Sequence, residues 1–99
     1  MHIQMAQLED QSPCLSVRGS LNYQTHERLR ERIRTCMREG HTHVCLDLAE
    51  TDQVDLNGLS VLISARRELL EMGGALQILT VSRPVARVLD LVHLRWLLS

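Results

Sequence analysis

The residues with the most distinctive chemistry lie in one short turn, Asp55-Leu56-Asn57-Gly58, which joins an apolar stretch to a helical pattern. Such a turn often presents a reactive or recognised group. Asn57, at its centre, carries an amide and therefore has no hydroxyl to modify. Its side-chain oxygen can accept a hydrogen bond from an unpaired N–H of the first helical turn, which predicts an N-cap role. The alternative is that Asn57 also contacts a partner.

The segment HTHVC contains side chains that can bind a soft metal. His41, His43 and Cys45 alternate, so they share one face of a strand and bring imidazole and thiolate together. A tetrahedral site needs a further ligand or an open position, and the spacing places neither Cys36 nor His26 nearby. We therefore interpret the segment as an exposed lead-in to a strand and predict no metal site.

Four carboxylates, Asp47, Glu50, Asp52 and Asp55, surround the turn in a pattern that could hold Mg²⁺. However, all 11 basic residues are arginine, so the lysine of a receiver-type site, a Walker-A loop or a Schiff base is absent. Asp47 is interpreted as structural and the others as a solvated acidic rim that suits an arginine-bearing partner. Because no nucleophile and base converge, the sequence predicts no catalytic residue and no cofactor, with a metal-assisted hydrolase as the enzymatic alternative.

The overall charge and the cysteines restrict the partners and the compartment. The formal net charge is −1, which gives no general attraction for nucleic acid or an anionic membrane. No apolar run approaches the ~18 residues that cross a bilayer, so direct membrane insertion is not predicted. Cys14, Cys36 and Cys45 are an odd number without paired spacing, and the N-terminus lacks a signal-peptide pattern, which predicts free thiols in the cytoplasm.

The elements that position the turn follow from hydrophobic periodicity. Alternating residues predict a hairpin of two strands, and helical spacing then predicts a first helix over about 24–39, capped by Asn22 or Thr25. Short apolar runs predict two central strands, and Pro84 after Ser82 marks a third helix. The tail LRWLLS is a terminal strand or a helical turn. The predicted strands are 2–8, 14–18, 44–49 and 75–81.

This order, β-β-α-β-α-β-α, predicts a single α/β domain over residues 1–99, with a mixed sheet, parallel crossovers and helices packed on it. In the second helix, apolar residues fill an arc of roughly 200°, which is wider than one core contact normally requires. The excess predicts a docking face. Arg66 lies inside this arc, where its stem can pack while its head meets a partner or backbone carbonyls.

Three segments, VRGSLN, VCLDLAETDQVDLNGLSVL and EMGGALQILTVSRPVARVLDLVHL, together resemble the STAS domain. This fold is shared by bacterial anti-sigma factor antagonists and the cytoplasmic tails of sulfate transporters. In the family the turn usually reads Asp-Ser-Ser-Gly, and a partner kinase, itself the anti-sigma factor, phosphorylates the second Ser. Asp55 and Gly58 match this pattern, whereas Leu56 replaces the first Ser and Asn57 occupies the phosphoacceptor position. Asn22 replaces an Asp that is common in kinase-binding antagonists.

The resemblance implies a non-catalytic adaptor that binds an anti-sigma factor with a histidine-kinase-like ATPase fold, without the serine phosphoswitch. Asp55 and Gly58 would shape the turn. The alternative is the STAS subunit of an ABC lipid transporter, whose partner is the transporter ATPase. The residues expected to bind the partner are Asn22, Leu56, Asn57, Leu59, Ser60 and Val61.

Overall fold

A computed structural model describes residues 1–98 of the chain. The predicted hairpin, the two strands predicted from apolar runs and all three helices are present, and the tail forms a helical turn, with Ser99 outside the described residues. The bounds are β1 His2–Gln7, β2 Pro13–Leu21, α1 His26–Arg38, β3 His43–Leu48, β4 Thr51–Val54, α2 Leu56–Glu71, β5 Ala75–Val81, α3 Arg83–Leu91 and a 3₁₀ turn Arg95–Leu98.

The sheet is mixed, as predicted, with the strand order β1-β2-β3-β5. β3 is central, as predicted, but the prediction of a central position is wrong for β5, which pairs with β3 at the edge of the sheet. β1 runs antiparallel to β2, while β2 with β3 and β3 with β5 are parallel pairs joined through helices. β4 leaves this path and pairs in parallel with the far end of β2, at Gly19 to Leu21. The chain therefore enters α2 directly from a strand anchored beside the end of β2.

β4 was not predicted, because its four residues, TDQV, carry polar side chains at the two central positions. Only its end residues, Thr51 and Val54, are buried. The Thr51 hydroxyl donates to the carbonyl of Val17 at 2.8 Å, so this buried polar group is satisfied. A strand this short depends on its pairing with β2, because its own hydrophobic pattern is too weak to predict it.

The core lies between one face of the sheet and the helices, and it is aliphatic as the composition requires. β2 and β3 supply buried Leu15 and Leu46, and α1 and α2 supply buried Leu29, Leu62 and Leu69. Each fully buried leucine stabilises the fold by about 1.5–3 kcal/mol relative to an exposed one.

The docking face predicted on α2 is wrong at two of its residues. Leu59 is 4% exposed and Val61 is fully buried, so neither side chain offers appreciable surface to a partner. The wide apolar arc is used inside the molecule, because α2 packs against β4 and β5 on one side and α1 on another. Arg66 is also engaged within the chain, since its guanidinium carbon lies 5.0 Å from the centre of the Trp96 ring.

The helix starts differ in how they are capped. α3 begins as predicted, with the Ser82 hydroxyl accepting from the N–H of Val85. α1 begins after Thr25, but the Thr25 hydroxyl donates to the carbonyl of Ser20 and makes no cap bond. Asn22 instead accepts from the N–H of Gln24 within the loop that follows β2.

Candidate functional site

Asp55 ties the turn before α2 to the loop that follows β2. Its Oδ1 accepts from the N–H of Gly58 and its Oδ2 accepts from the N–H of Tyr23, each at 3.0 Å. Its own N–H donates to the carbonyl of Leu21 at 3.2 Å. One carboxylate therefore holds two loops that are more than thirty residues apart in sequence.

The prediction that Asn57 caps α2 is wrong. Asp55 has the extended backbone of an N-cap (φ −109°, ψ −172°) and its carboxylate makes the cap bond. α2 begins at Leu56, so Asn57 is the second residue of the helix. Asp caps a helix about as well as Asn, and a negative charge at this end also complements the helix dipole.

The ionisation of Asp55 reflects these contacts. Partial burial raises the pKa of Asp55, but hydrogen bonds from the backbone of Gly58, Tyr23 and Asn57 and from the Asn57 side chain outweigh it. The pKa therefore lies below the ordinary value for an aspartate. Asn57 thus supports the charged form of the capping residue.

Gly58 is packed too closely for any side chain. A Cβ at this position would lie 2.6 Å from the carbonyl oxygen of Leu21 and 2.8 Å from side-chain carbons of Leu21 and Val54. The first turn of α2 is therefore pressed against the ends of β2 and β4. This close approach has the geometry expected of a turn-shaping residue.

Two exposed side chains lie beside Asp55, one in the loop that follows β2 and one at the first residue of α2. Leu56 is 77% exposed and Tyr23 is 74% exposed, which makes them the most exposed large hydrophobic residues among those the structure describes. Ser60 is also exposed, while Asn22 and Asn57 are half-buried. Tyr23 was not predicted as a site residue, although it is the only tyrosine of the chain and follows Asn22 directly.

A shallow groove of about 360 Å³ continues from Leu56 along α2. It runs toward the residues that follow α3, and its lining is mainly apolar with two hydroxyls and one guanidinium. The lining residues are Leu56, Leu59, Ser60, Ile63, Ser64, Arg67, Val92 and Leu94.

The acidic side chains near the turn are each paired separately. Glu50 forms an ion pair with Arg18, and Asp52 accepts from the Ser20 hydroxyl at 2.9 Å. Hydrogen bonds from the Thr80 hydroxyl and the Ala49 N–H lower the pKa of Asp47, which is therefore structural, as interpreted from the sequence.

The potential metal ligands of the segment HTHVC do not come together in the structure. Cys45 is buried with its thiol 3.8 Å from the Gln77 oxygen, while His43 is exposed and bonds to Thr42. Over residues 1–98, no three or more His, Cys, Asp or Glu side chains form a group that could hold a metal ion. No helix in the same range has the length and apolar character to cross a membrane.

The comparisons with known proteins agree with this architecture. The family model described as "Mlab, STAS domain" matches residues 5–99. The unphosphorylated form of the anti-sigma factor antagonist SpoIIAA superposes with a TM-score of 0.82 at 19% identity, over 99% of this chain and 86% of that one. The phosphorylated form of SpoIIAA, a Bacillus cell fate determinant, gives a TM-score of 0.76 at 19% identity, over 99% and 89% of the two chains.

A third structure extends the likeness to another organism. An anti-sigma factor antagonist from Mycobacterium paratuberculosis superposes with a TM-score of 0.83 at 16% identity, over 98% of this chain and 81% of that one. At these identities the superpositions show a common fold, and they do not by themselves transfer a partner.

Proposed function

This chain belongs to the STAS domain family, and from that premise we propose that it is a non-catalytic regulatory adaptor of the cytoplasm that binds an anti-sigma factor. The proposed partner has a histidine-kinase-like ATPase fold. The contact is made by a docking surface that consists of Asn22, Tyr23, Leu56, Asn57 and Ser60.

The observation that carries the proposal is the pair of exposed side chains beside the family's switch position. Leu56 and Tyr23 are about three-quarters exposed, although the rest of α2's apolar arc is largely buried. Tyrosine is enriched among the residues that dominate binding energy, and an exposed leucine gains free energy when a partner removes it from water. Asp55 holds both loops in place before binding, which reduces the entropic cost of association.

The residue at position 57 determines how this surface is regulated. A phosphate here would add close to two negative charges beside Leu56 and repel an apolar interface. Asn57 has no hydroxyl to receive it, so the docking surface stays in its binding form. Antagonism of the anti-sigma factor is then set by the amount of this protein in the cell.

The missing hydroxyl also favours a second candidate partner. A subunit that remains bound to an ABC transporter ATPase needs no phosphoswitch, so Asn57 is equally suited to a permanent accessory subunit. In that case the same docking surface contacts the transporter ATPase rather than an anti-sigma factor.

A capture experiment from the native host tests the proposal. Tagged wild-type protein should retain one major partner that mass spectrometry identifies, and Leu56→Asp should lose it. Leu91→Asp is the matched control, because Leu91 is similarly exposed (73%) but lines a separate groove on α3. A histidine-kinase-like ATPase supports antagonism and a transporter ATPase supports the second candidate. Equal capture by wild type and Leu56→Asp would show that the docking surface is wrong.

A further inference from the structure

Asn57 and Gly58 form the only Asn-Gly pair of the sequence, and this pair is chemically labile. In an unfolded chain the backbone nitrogen of Gly58 can attack Cγ of Asn57, because glycine offers no side-chain hindrance. The new N–Cγ bond closes a succinimide ring, and the Cγ–Nδ2 bond breaks to release the amide nitrogen as ammonia with the proton lost by Gly58. Water then opens the ring to aspartate or isoaspartate.

In the folded structure, the backbone nitrogen of Gly58 is not positioned to attack Asn57. The N–H of Gly58 donates to Asp55 Oδ1 at 3.0 Å, and both members of the pair lie in the first turn of α2. Ring closure needs a rotation about the bond between Cα and the carbonyl carbon of Asn57, which the helix holds in a different geometry. Gly58 has little freedom to move, because atoms of Leu21 and Val54 fill the space that a Cβ at this position would occupy.

We infer that Asn57 is a latent deamidation site, and that the helix cap formed by Asp55 slows its deamidation in the folded protein. Conversion requires the first turn of α2 to open, so its rate follows the population of locally open molecules. The cap thereby sets how long position 57 remains neutral after synthesis. This inference is independent of the proposed function, since it concerns the isolated chain; its consequence for binding rests on that function.

The test is a time course of purified protein at mildly alkaline pH, read by peptide mass spectrometry at positions 57 and 22. Asn22, which is followed by Tyr23, is the internal reference. Folded wild type should convert Asn57 at least about tenfold more slowly than the same chain in urea, and Asp55→Ala should remove much of this protection. Asp55→Ser retains an oxygen that can cap the helix and should stay close to wild type.

Four outcomes would overturn the inference. Equal rates for folded and urea-unfolded wild type would mean that the fold gives no protection. A folded Asp55→Ala that converts as slowly as wild type would mean that Asp55 is not the lock, and an Asp55→Ser as fast as Asp55→Ala would mean that the cap bond is not the cause. If Asp55→Ala does not fold, hydrogen exchange of the wild-type Gly58 amide replaces it, and a fast-exchanging amide would contradict the lock.

Discussion

At the residue scale, Asp55 and Asn57 have different roles in the turn before α2. Asp55 supplies the cap, the helix-dipole charge and the link to Tyr23, whereas Asn57 remains half-exposed beside Leu56. Because Asp55 already caps the helix, the identity of residue 57 can vary without loss of the fold. Under the proposed function, position 57 can therefore affect regulation without affecting the fold.

The first prediction concerns the charge at position 57. Asn57→Asp should still fold, since an acidic residue in the first helical turn is favourable, although it loses the hydrogen bond from the Asn57 side chain to Asp55. It should weaken partner binding by about 1–3 kcal/mol, because a charge beside Leu56 would have to be desolvated in an apolar interface. Asn57→Ser should bind like wild type. Where the captured partner is a kinase, phosphorylation of this serine should then weaken binding. Calorimetry with the captured partner measures both, and wild-type affinity of Asn57→Asp would remove position 57 from the interface.

The second prediction concerns the cap and its pH dependence. Asp55→Ala should lower the free energy of unfolding by about 0.5–2 kcal/mol at pH 7. The folded pKa of Asp55 is depressed, so its contribution is fully present above the unfolded value of 3.8 and is lost as the pH falls through the folded pKa. The difference between the two proteins in urea titrations should therefore begin to shrink only below about pH 4 and should vanish at a pH below the folded pKa of Asp55. A difference that is constant from neutral to acidic pH would mean that the charge plays no part.

At the element scale, the position of α2 depends on how closely its first turn approaches β2 and β4. The contact is made by Gly58 against Leu21 and Val54, so it needs a residue without a side chain. Gly58→Ala should destabilise the fold by about 1–3 kcal/mol despite the better helix propensity of alanine, because the added carbon overlaps a backbone carbonyl. Gly73→Ala, at a position with free space but a positive φ, is the comparison for backbone strain alone. A more stable Gly58→Ala would show that the turn relaxes at no cost.

The fourth prediction separates the two faces of α2 with neighbouring residues. Val61→Glu should unfold the protein or cost several kcal/mol, because it places a charge in the core, whereas Ser60→Glu on the exposed side should leave stability within about 0.5 kcal/mol. Thermal unfolding monitored by circular dichroism measures both. If Val61→Glu were as stable as Ser60→Glu, the burial of Val61 would be refuted and the wider docking face restored.

At the scale of the whole molecule, the reactivity of the three cysteines measures how often the fold opens enough to expose them to solvent. All three are free and buried, as predicted for free thiols, and burial raises the pKa of each thiol. Cys14 and Cys45 are register partners on β2 and β3, yet they are not bridged.

The fifth prediction follows from this burial. The native protein should react slowly with a thiol reagent and the denatured protein should react at all three cysteines. Ellman titration with and without denaturant provides the measurement. Rapid native reaction would indicate an open sheet, and fewer than three reactive thiols after denaturation without reductant would indicate a disulfide.

The sequence by itself determined the features that depend on local patterns and on residue types. Alternation located the hairpin, helical spacing and the Ser82-Arg83-Pro84 signal located the helices, and the run ALQILTV gave the bounds of β5. The absence of a hydroxyl at Asn57 needs no coordinates. These features are local because a strand, a helix start or a side-chain functional group depends on residues within a few positions of one another.

The tertiary structure alone decided which residues share the site. Asp55 rather than Asn57 caps α2 because the backbone conformation, and not side-chain type, selects the N-cap. Leu59 and Val61 are buried because α1, β4 and β5 all pack against α2, and the sequence pattern of α2 does not show how many elements pack against it. β4 forms because the end of β2 offers it hydrogen bonds, and Tyr23 lies beside the turn because a carboxylate 32 residues away accepts a hydrogen bond from its N–H. The burial of Leu59 and Val61, the formation of β4 and the position of Tyr23 are all contacts between distant segments, and the periodicity of a single segment contains no information about such contacts.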